Sequence, residues 1–301
     1  MSSARVLVSV LSRNSAQSCL ATLRSLSNQT YPEIQLQLID SASTDGTATQ
    51  AAKEFPFLDI KTLSKNPGYT GGCNLAIRQA RAENYDYVLL CTHDVEVDNN
   101  AIENLVETSL KYPNAGVVGG VEFSAPKNKL RASGGGHYSK WFSRQSWIDE
   151  EDGNDQCEVF CVHGAMLLLT GKALGRDVLM DEHLFMYFDE ADLGFQLKQE
   201  GLSAVVDRRV WIRHAGGARI YTPAIGYLMQ RNRLYMINKH AAWYQRAFYL
   251  LYSSLVELPA KFIVRSLQGR TRFATACVRG QIDGLLKHMG LGQAARYLEE
   301  A

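Results

Sequence analysis

The chain has 301 residues, of which 46% are hydrophobic, with 32 Lys and Arg against 31 Asp and Glu. Such a length and apolar content can bury a sizeable core, as one large domain or one domain with an appendage, and they exclude a disordered chain. The near-even charge balance gives no reason to expect a polyanionic partner such as nucleic acid.

Six cysteines (Cys19, Cys73, Cys91, Cys157, Cys161 and Cys277) are spread without a CxxC pair, which suits a reduced, cytoplasmic compartment. Cys157, Cys161 and His163 are zinc-type ligands, but their spacing fits no zinc motif and no fourth ligand is near. The opening residues carry no basic and apolar leader. No uninterrupted apolar segment reaches the ~20 residues that span a bilayer. The expectation is a chain neither exported by a signal peptide nor integral to a membrane.

In chain order, residues 5–11 (RVLVSVL) predict a buried strand running into Ser12, Arg13 and Asn14. A helix follows over 15–27, and NQTYP stops it. IQLQLID at 34–40 predicts a second strand ending on Asp40; SASTDGT turns the chain into a helix over 48–54. Strand, helix, strand, helix opens a parallel, doubly wound sheet. After a short strand at 59–63 comes KNPGYTGGCN (65–74), whose three glycines precede a helix over 75–81. Such a turn either brings backbone amides to an anion or satisfies tight backbone geometry, and spacing alone does not separate the two. It has neither the GxGxxG of a dinucleotide fold nor a P-loop.

YVLLCTHDVEVD (87–98) is an apolar strand that breaks into His93, Asp94, Glu96 and Asp98. The open end of a buried parallel strand is where α/β folds keep ligands. A helix over 100–111 and strand-like AGVVGGVEF at 115–123 follow. Residues 132–147 mix glycine, aromatic and basic residues without a period, as in a mobile loop or a surface insertion. VFCVHGAMLLLT at 159–170 predicts a buried strand. Next, DEHLFMYFDEAD (181–192) places Asp189, Glu190 and Asp192 among aromatics at the start of a helix. One acid would suffice to complement a helix dipole, and burial among aromatics makes a carboxyl a usable general base. SAVVDRRVWIR at 203–213 predicts a last strand, running into His214, Gly216 and Gly217.

From about residue 219 the pattern becomes helical. Between Lys239 and Arg279 seven Lys or Arg face the single acid Glu257, interleaved with Trp243, Tyr244, Phe248, Tyr249 and Tyr252. Basic residues with an aromatic and aliphatic face suit peripheral contact with an anionic leaflet through residues 239–280. A helical hairpin packed on the catalytic domain or on a second copy of the chain is the alternative, and no fold motif supports nucleic-acid binding.

Taken together and in this order, IDSASTDGT, KNPGYTGGCN, CTHDVEVD and FMYFDEADLGFQLKQEG resemble the inverting glycosyltransferases of family 2. The strand to His214 and QRNRLYMINKH (230–240) make the likeness strongest to bacterial rhamnosyltransferase-like and galactofuranosyltransferase-like members. The resemblance implies an α/β GT-A fold: a Rossmann-like, mostly parallel mixed sheet flanked by helices in residues 1–218, with a C-terminal helical extension over 219–301. It implies that Ser12, Arg13, Asp40, Asp45, Lys65, Asn66, Gly68, Asn74 and His93 shape the nucleotide-sugar pocket. Asp94 matches the last position of the family's metal-binding DxD motif, while the first position is Thr92. His214 and Glu96 are then expected to help Asp94 hold Mg2+ or Mn2+. Glu190 matches the catalytic base, with Asp189 and Asp192 positioning the acceptor.

The implied reaction is sugar transfer from a dTDP- or UDP-sugar to a glycan or polyprenyl-linked acceptor at the cytoplasmic face of the membrane. A glycosyltransferase-like module that binds without turnover is the alternative, resting on Thr92. A nucleotidyltransferase would need a glycine-rich, basic N-terminal loop, for which SVLSRNSAQS offers only Arg13.

Overall fold

The computed structural model describes residues 3–124, 129–132, 135–148, 154–214, 221–292 and 294–298. Gly216, Gly217 and the expected boundary between residues 218 and 219 lie outside the described residues. The chain divides into two compact units: Met1–His137, Trp147–Met180 and Leu193–Gly217 form one, and Tyr138–Ser146, Asp181–Asp192 and Ala218–Ala301 the other.

The first unit begins with β1 (Val6–Ser12), α1 (Ala16–Ser27), β2 (Ile34–Asp40), α2 (Thr47–Glu54), β3 (Asp59–Thr62), α3 (Gly68–Ala82) and β4 (Tyr87–Thr92). β1 pairs in parallel with β2 on one side and β4 on the other, and β2 pairs in parallel with β3. The order β3-β2-β1-β4 therefore reverses direction at β1, and the carboxyl ends of β1 and β4 flank the crevice where such sheets bind ligands. Apolar runs form these strands because both faces are covered. Val6, Val8 and Val10 pack into one core with Cys19, Leu23 and Leu105. Leu7 and Leu11 enter the opposite core with Cys73, Ala76 and Ile77 of α3. Gly72 permits that approach: a Cβ there would lie 2.4 Å from Leu11 Cδ2. The helix predicted over 75–81 thus begins earlier, within the glycine-rich turn itself.

Beyond β4 come β5 (Val95–Val97), α4 (Ala101–Lys111), β6 (Ala115–Ser124), β7 (Lys129–Ala132), β8 (Gly135–Ser139), β9 (Arg144–Trp147), β10 (Gln156–Val159), β11 (Cys161–Val162), β12 (Met166–Thr170), α5 (Gly171–Leu174), α6 (Asp189–Gln199) and β13 (Ser203–His214). β12 runs antiparallel between β4 and β6, β6 pairs in parallel with β13, and β5 joins β13 antiparallel. The stretch over 132–147 is a hairpin of β8 and β9 in a small sheet with β11, where the sequence showed only a loop; residues 133–134 lie outside the described residues. The strand expected over 159–170 is interrupted by a turn at His163–Ala165.

The second unit carries α7 (Pro223–His240), α8 (Trp243–Tyr252), α9 (Leu258–Leu267), α10 (Thr271–Leu285) and α11 (Ala294–Leu298). Thr222 caps α7 by accepting from the Ile225 amide, with Pro223 in the first turn. α7 and α10 touch through glycine, since a Cβ on Gly280 would meet Tyr227 O at 2.3 Å. Phe185, Tyr227, Leu228, Ala276 and Ala294 form a core there. A π turn at Ser253–Glu257 joins α8 to α9 without a break. The resulting helix, Trp243–Leu267, spans 25 residues and is long and apolar enough to cross a membrane by length and composition, with only 11% of its most apolar stretch buried. Single charges at Arg246, Glu257, Lys261 and Arg265 interrupt the apolar run in sequence, as expected, but not the helix.

Candidate active site

In the first unit a chain of four ionisable side chains gathers near the end of β4. β5 pairs with the end of β13 so that Val95 lies opposite His214, which brings the preceding residue, Asp94, to the imidazole. His214 Nε2 lies 2.9 Å from Asp94 Oδ2, and its Nδ1 lies 2.7 Å from Glu122 Oε1 on the neighbouring strand β6. Glu122 Oε2 in turn meets His163 Nε2 at 2.7 Å. His163 Nδ1 accepts from the Ala165 amide at 3.2 Å, which leaves Nε2 to donate to Glu122. Both nitrogens of His214 face carboxylates. Burial disfavours its charged form, but the bonds to Asp94 and Glu122 outweigh burial and raise its pKa to about 9. The same bonds overcome burial at both carboxyls: Asp94 is lowered, and Glu122 is held well below the usual carboxylate range. Thr92, where the family motif has an acid, donates its hydroxyl to Asp94 Oδ1 at 2.9 Å and braces it.

Asp94 and His214 each keep about 20% of their side chains exposed, and a cation entering between them would displace the proton that links Nε2 to Asp94, taking Nε2 and one carboxylate oxygen as ligands. That donor set fits Mn2+ or Mg2+, ions commonly held by one or two protein groups together with substrate phosphates. Among the described residues no three His, Cys, Asp or Glu side chains are arranged to hold a metal by themselves. Glu96, expected beside Asp94, is exposed and lines a small cavity with Ser25, Asp98, Trp211 and Arg213, to which neither Asp94 nor His214 contributes. None of the six cysteines is bridged in a disulfide, and His163 is engaged with Glu122 rather than grouped with Cys157 and Cys161.

The nucleotide-side residues divide by what already holds them. Ser12 ends β1 buried, and among the described residues its hydroxyl finds no hydrogen-bond partner. Asp40 ends β2 buried and accepts from the Ser43 hydroxyl. Arg13 is half-buried, His93 likewise, and Lys65 is exposed. Asp45 accepts from the Ala16 and Thr47 amides, both at 3.0 Å, and so ties the first turns of α1 and α2 together. Burial opposes its ionisation, yet these bonds and the Thr47 hydroxyl keep its pKa lowered. Asn66 Oδ1 accepts from the Gly68 amide at 2.9 Å, and Gly68 takes φ +77°, a left-handed conformation suited to glycine. Asn74 is buried and exchanges hydrogen bonds with both backbone groups of Met180, at 2.8 and 2.9 Å. Its amide is therefore already committed to backbone.

The acidic cluster of the second unit occupies the first turn of α6. Phe185, Tyr187 and Phe188, which lead into it, adopt φ of 65°, 71° and 66°. Non-glycine residues in such conformations cost about 1–3 kcal/mol each and concentrate at functional sites. Asp189 is buried; burial first, then the charges of Glu190 and Asp192, push its pKa well above the ordinary value. The pKa of Tyr187 is pushed up to about 12 by burial and then by Asp189 and Glu190. Asp192 is fully buried but ion-paired, 2.7 Å from Lys239 Nζ and 2.6 Å from His240 Nε2. Lys239 also reaches Asp181 Oδ2 at 2.6 Å. Of the three acids, Glu190 alone is half-exposed.

Sequence reasoning missed Glu122, counted Lys239 only among the basic residues of the membrane-contacting stretch, and used His240 only as part of the family motif; the structure puts both on Asp192. A lone acid inside the apolar run AGVVGGVEF was the signal for Glu122, because an unpaired carboxylate is not stable in such a strand.

Glu122→Gln removes the charge on one side of His214. In wild type the ring should titrate near pH 9 by NMR, and in the variant nearer its ordinary ~6.5. A group with a raised folded-state pKa adds stability that is complete below the unfolded value and lost as pH rises through the folded one. Wild-type unfolding free energy should therefore fall between about pH 6.5 and 9, and the variant's should fall less. An unchanged titration in the variant would contradict this arrangement.

A model of the family described as glycosyl transferase family 2 matches residues 8–174, more than half the chain. Over 276 residues the sequence is 26% identical to N-acetylglucosaminyl-diphospho-decaprenol L-rhamnosyltransferase of Mycobacterium tuberculosis, covering 83% of this chain and 90% of that protein. Mannosyltransferase PcManGT from Pyrobaculum calidifontis, solved with GDP-Man and Mn2+, has a similar structure at TM-score 0.59 and 18% identity, covering 94% of this chain and 87% of that one. GalNAc-T7 with UDP, GalNAc and Mn2+ matches at TM-score 0.68 and 13% identity, covering 94% and 56%. Such identities speak to the fold, which is GT-A with a C-terminal helical region. The chain belongs to glycosyl transferase family 2 and is a glycosyltransferase that moves a sugar from a nucleotide sugar.

Proposed function

We propose that this enzyme is an inverting transferase that moves a rhamnose-like or other hexose from a dTDP- or UDP-sugar to a glycan or polyprenyl-linked acceptor in bacterial surface polysaccharide assembly. The observation that carries this reading is the presence of two acidic centres in opposite environments. Asp94 is held ionised beside His214, whereas Asp189 is pushed toward its neutral form beside Glu190. The mycobacterial relative, whose name states a rhamnosyl transfer to a diphospho-decaprenol-linked acceptor, supports the choice of sugar and acceptor class.

The roles follow from those environments. Asp94 and His214 are the residues that would hold Mg2+ or Mn2+. When bound, the ion would neutralise charge building on the leaving diphosphate. Glu122 fixes the imidazole through Nδ1, as a carboxylate behind a ligating histidine does. The acceptor hydroxyl attacks the anomeric carbon as the bond to the diphosphate oxygen breaks, its proton passes to Glu190, and in-line attack inverts the centre. Asp189, pushed toward its neutral form, lessens the negative charge beside the base. A binding module without turnover has no use for such a base, which favours catalysis.

The exposed face of the Trp243–Leu267 helix supports peripheral contact with the cytoplasmic leaflet. Trp243, Leu251, Leu255 and Leu267 are 63–84% exposed, with Arg246, Arg265 and Arg270 nearby in sequence.

Asp94→Ala and Glu190→Gln, with folding intact by circular dichroism, should each lower nucleotide release from the active donor at least ~100-fold. Wild-type rates in both variants would refute the assignment. In flotation with phosphatidylglycerol liposomes the full chain should rise with the vesicles, and Leu251→Glu/Leu255→Glu/Leu267→Glu should stay at the bottom. Equal flotation of the two would remove the membrane claim.

A further inference from the structure

We infer that Arg231 and Asn232 are positioning residues for the acidic turn, acting through the backbone of residues 183–187; the catalytic part of this inference rests on the assignment of Glu190 as base. Both side chains are fully buried on α7. Asn232 Nδ2 shares its two hydrogens among three carbonyl acceptors of one loop, Leu184 O at 3.0 Å, Met186 O at 2.8 Å and Tyr187 O at 3.1 Å. Arg231 Nη2 donates to Leu184 O at 2.9 Å and His183 O at 3.3 Å, and its Nη1 donates to Gly290 O. Arg231 also grips its neighbour, with Nε and Nη2 donating to Asn232 Oδ1 at 3.0 and 2.9 Å. The Gly290 amide closes the ring by donating to His183 O at 2.9 Å.

Two features show that this is more than filling a core. Among the described residues Arg231 has no carboxylate in ion-pair range, and a guanidinium buried without one is costly unless its fork is needed for several acceptors at once. The carbonyls it and Asn232 hold belong to the segment where Phe185, Tyr187 and Phe188 take left-handed conformations, immediately before Asp189. A backbone so bent cannot give its carbonyls to a helix or strand ladder, so side-chain donors must accept that task. Without them the segment would relax toward ordinary conformations, and the direction in which Asp189 and Glu190 leave the turn would change.

Asn232→Asp tests this with almost no change in shape. It keeps an oxygen for Arg231 but turns the donor toward the three carbonyls into another acceptor. Arg231→Lys, which keeps charge and loses the fork, is the second variant should the first fold poorly. Hydrogen–deuterium exchange on the full chain should show peptides over 183–190 exchanging at least ~10-fold faster in either variant, with α10 unchanged. With dTDP-rhamnose, UDP-galactofuranose and UDP-N-acetylglucosamine as donors and Mn2+ present, kcat for nucleotide release should fall ~100-fold while donor KM stays within about threefold. Unchanged exchange over 183–190, exchange that accelerates equally throughout the chain, or full kcat per folded enzyme would overturn the inference. If wild type released no nucleotide from any donor, the proposed function would fail, and the exchange comparison would still decide whether the two residues hold the turn.

Discussion

His214 lies between two carboxylates, and the arrangement of the first unit around it depends on that contact. Either carboxylate alone would leave one ring nitrogen unfixed; the two together set the direction of Nε2 and keep Asp94 ionised. Three strands are needed to make the contact. β13 carries the histidine, β6 carries Glu122 beside it, and β5 turns the chain back so that Asp94 precedes the residue opposite the histidine. The register of a buried sheet therefore decides the electrostatics, because a slip of one residue would turn these groups to the other face. Thr92 adds a neutral hydroxyl where a second acid would have added repulsion, so the departure at the first motif position is compatible with a working Asp94.

The second unit is organised by a different constraint, the bent segment before α6. Its acids are crowded enough that Asp189 is driven toward neutrality, while Asp192 is compensated by Lys239 and His240 from the end of α7. Strain in the backbone and repulsion among carboxyls both oppose this geometry. Donors on the same helix oppose both in turn: the buried Arg231 and Asn232 on the carbonyls, Lys239 and His240 on Asp192. One α-helix thus supplies the main-chain support and the counter-charge of the acidic turn.

The parallel half of the sheet was legible in the sequence because apolar runs alternating with amphipathic helices have few other solutions. Asp94 and His214 were legible as polar residues at strand ends. Glu122 was not, since nothing in a lone glutamate within a strand reveals which histidine crosses to it. Glu96 shared the motif with Asp94, but it pairs with Arg213 rather than with His214, and because neighbouring strand residues point to opposite faces it lines a cavity with Arg213 instead. The hairpin over 135–147 was hidden by its glycine and aromatic content, and the long helix through residue 267 by the charges that punctuate it. The left-handed conformations before Asp189 fall on aromatic residues, which no propensity scale would place there.

The central claim is that Asp94 and His214 form the protein's share of a divalent-cation site for the donor diphosphate. Anomalous scattering at the manganese edge, from crystals grown with Mn2+ and UDP or dTDP, tests it most directly. The account predicts a peak within bonding distance of both Asp94 and His214 and of the nucleotide's phosphates. A nucleotide bound in full occupancy with manganese elsewhere, or with none near Asp94, would contradict it.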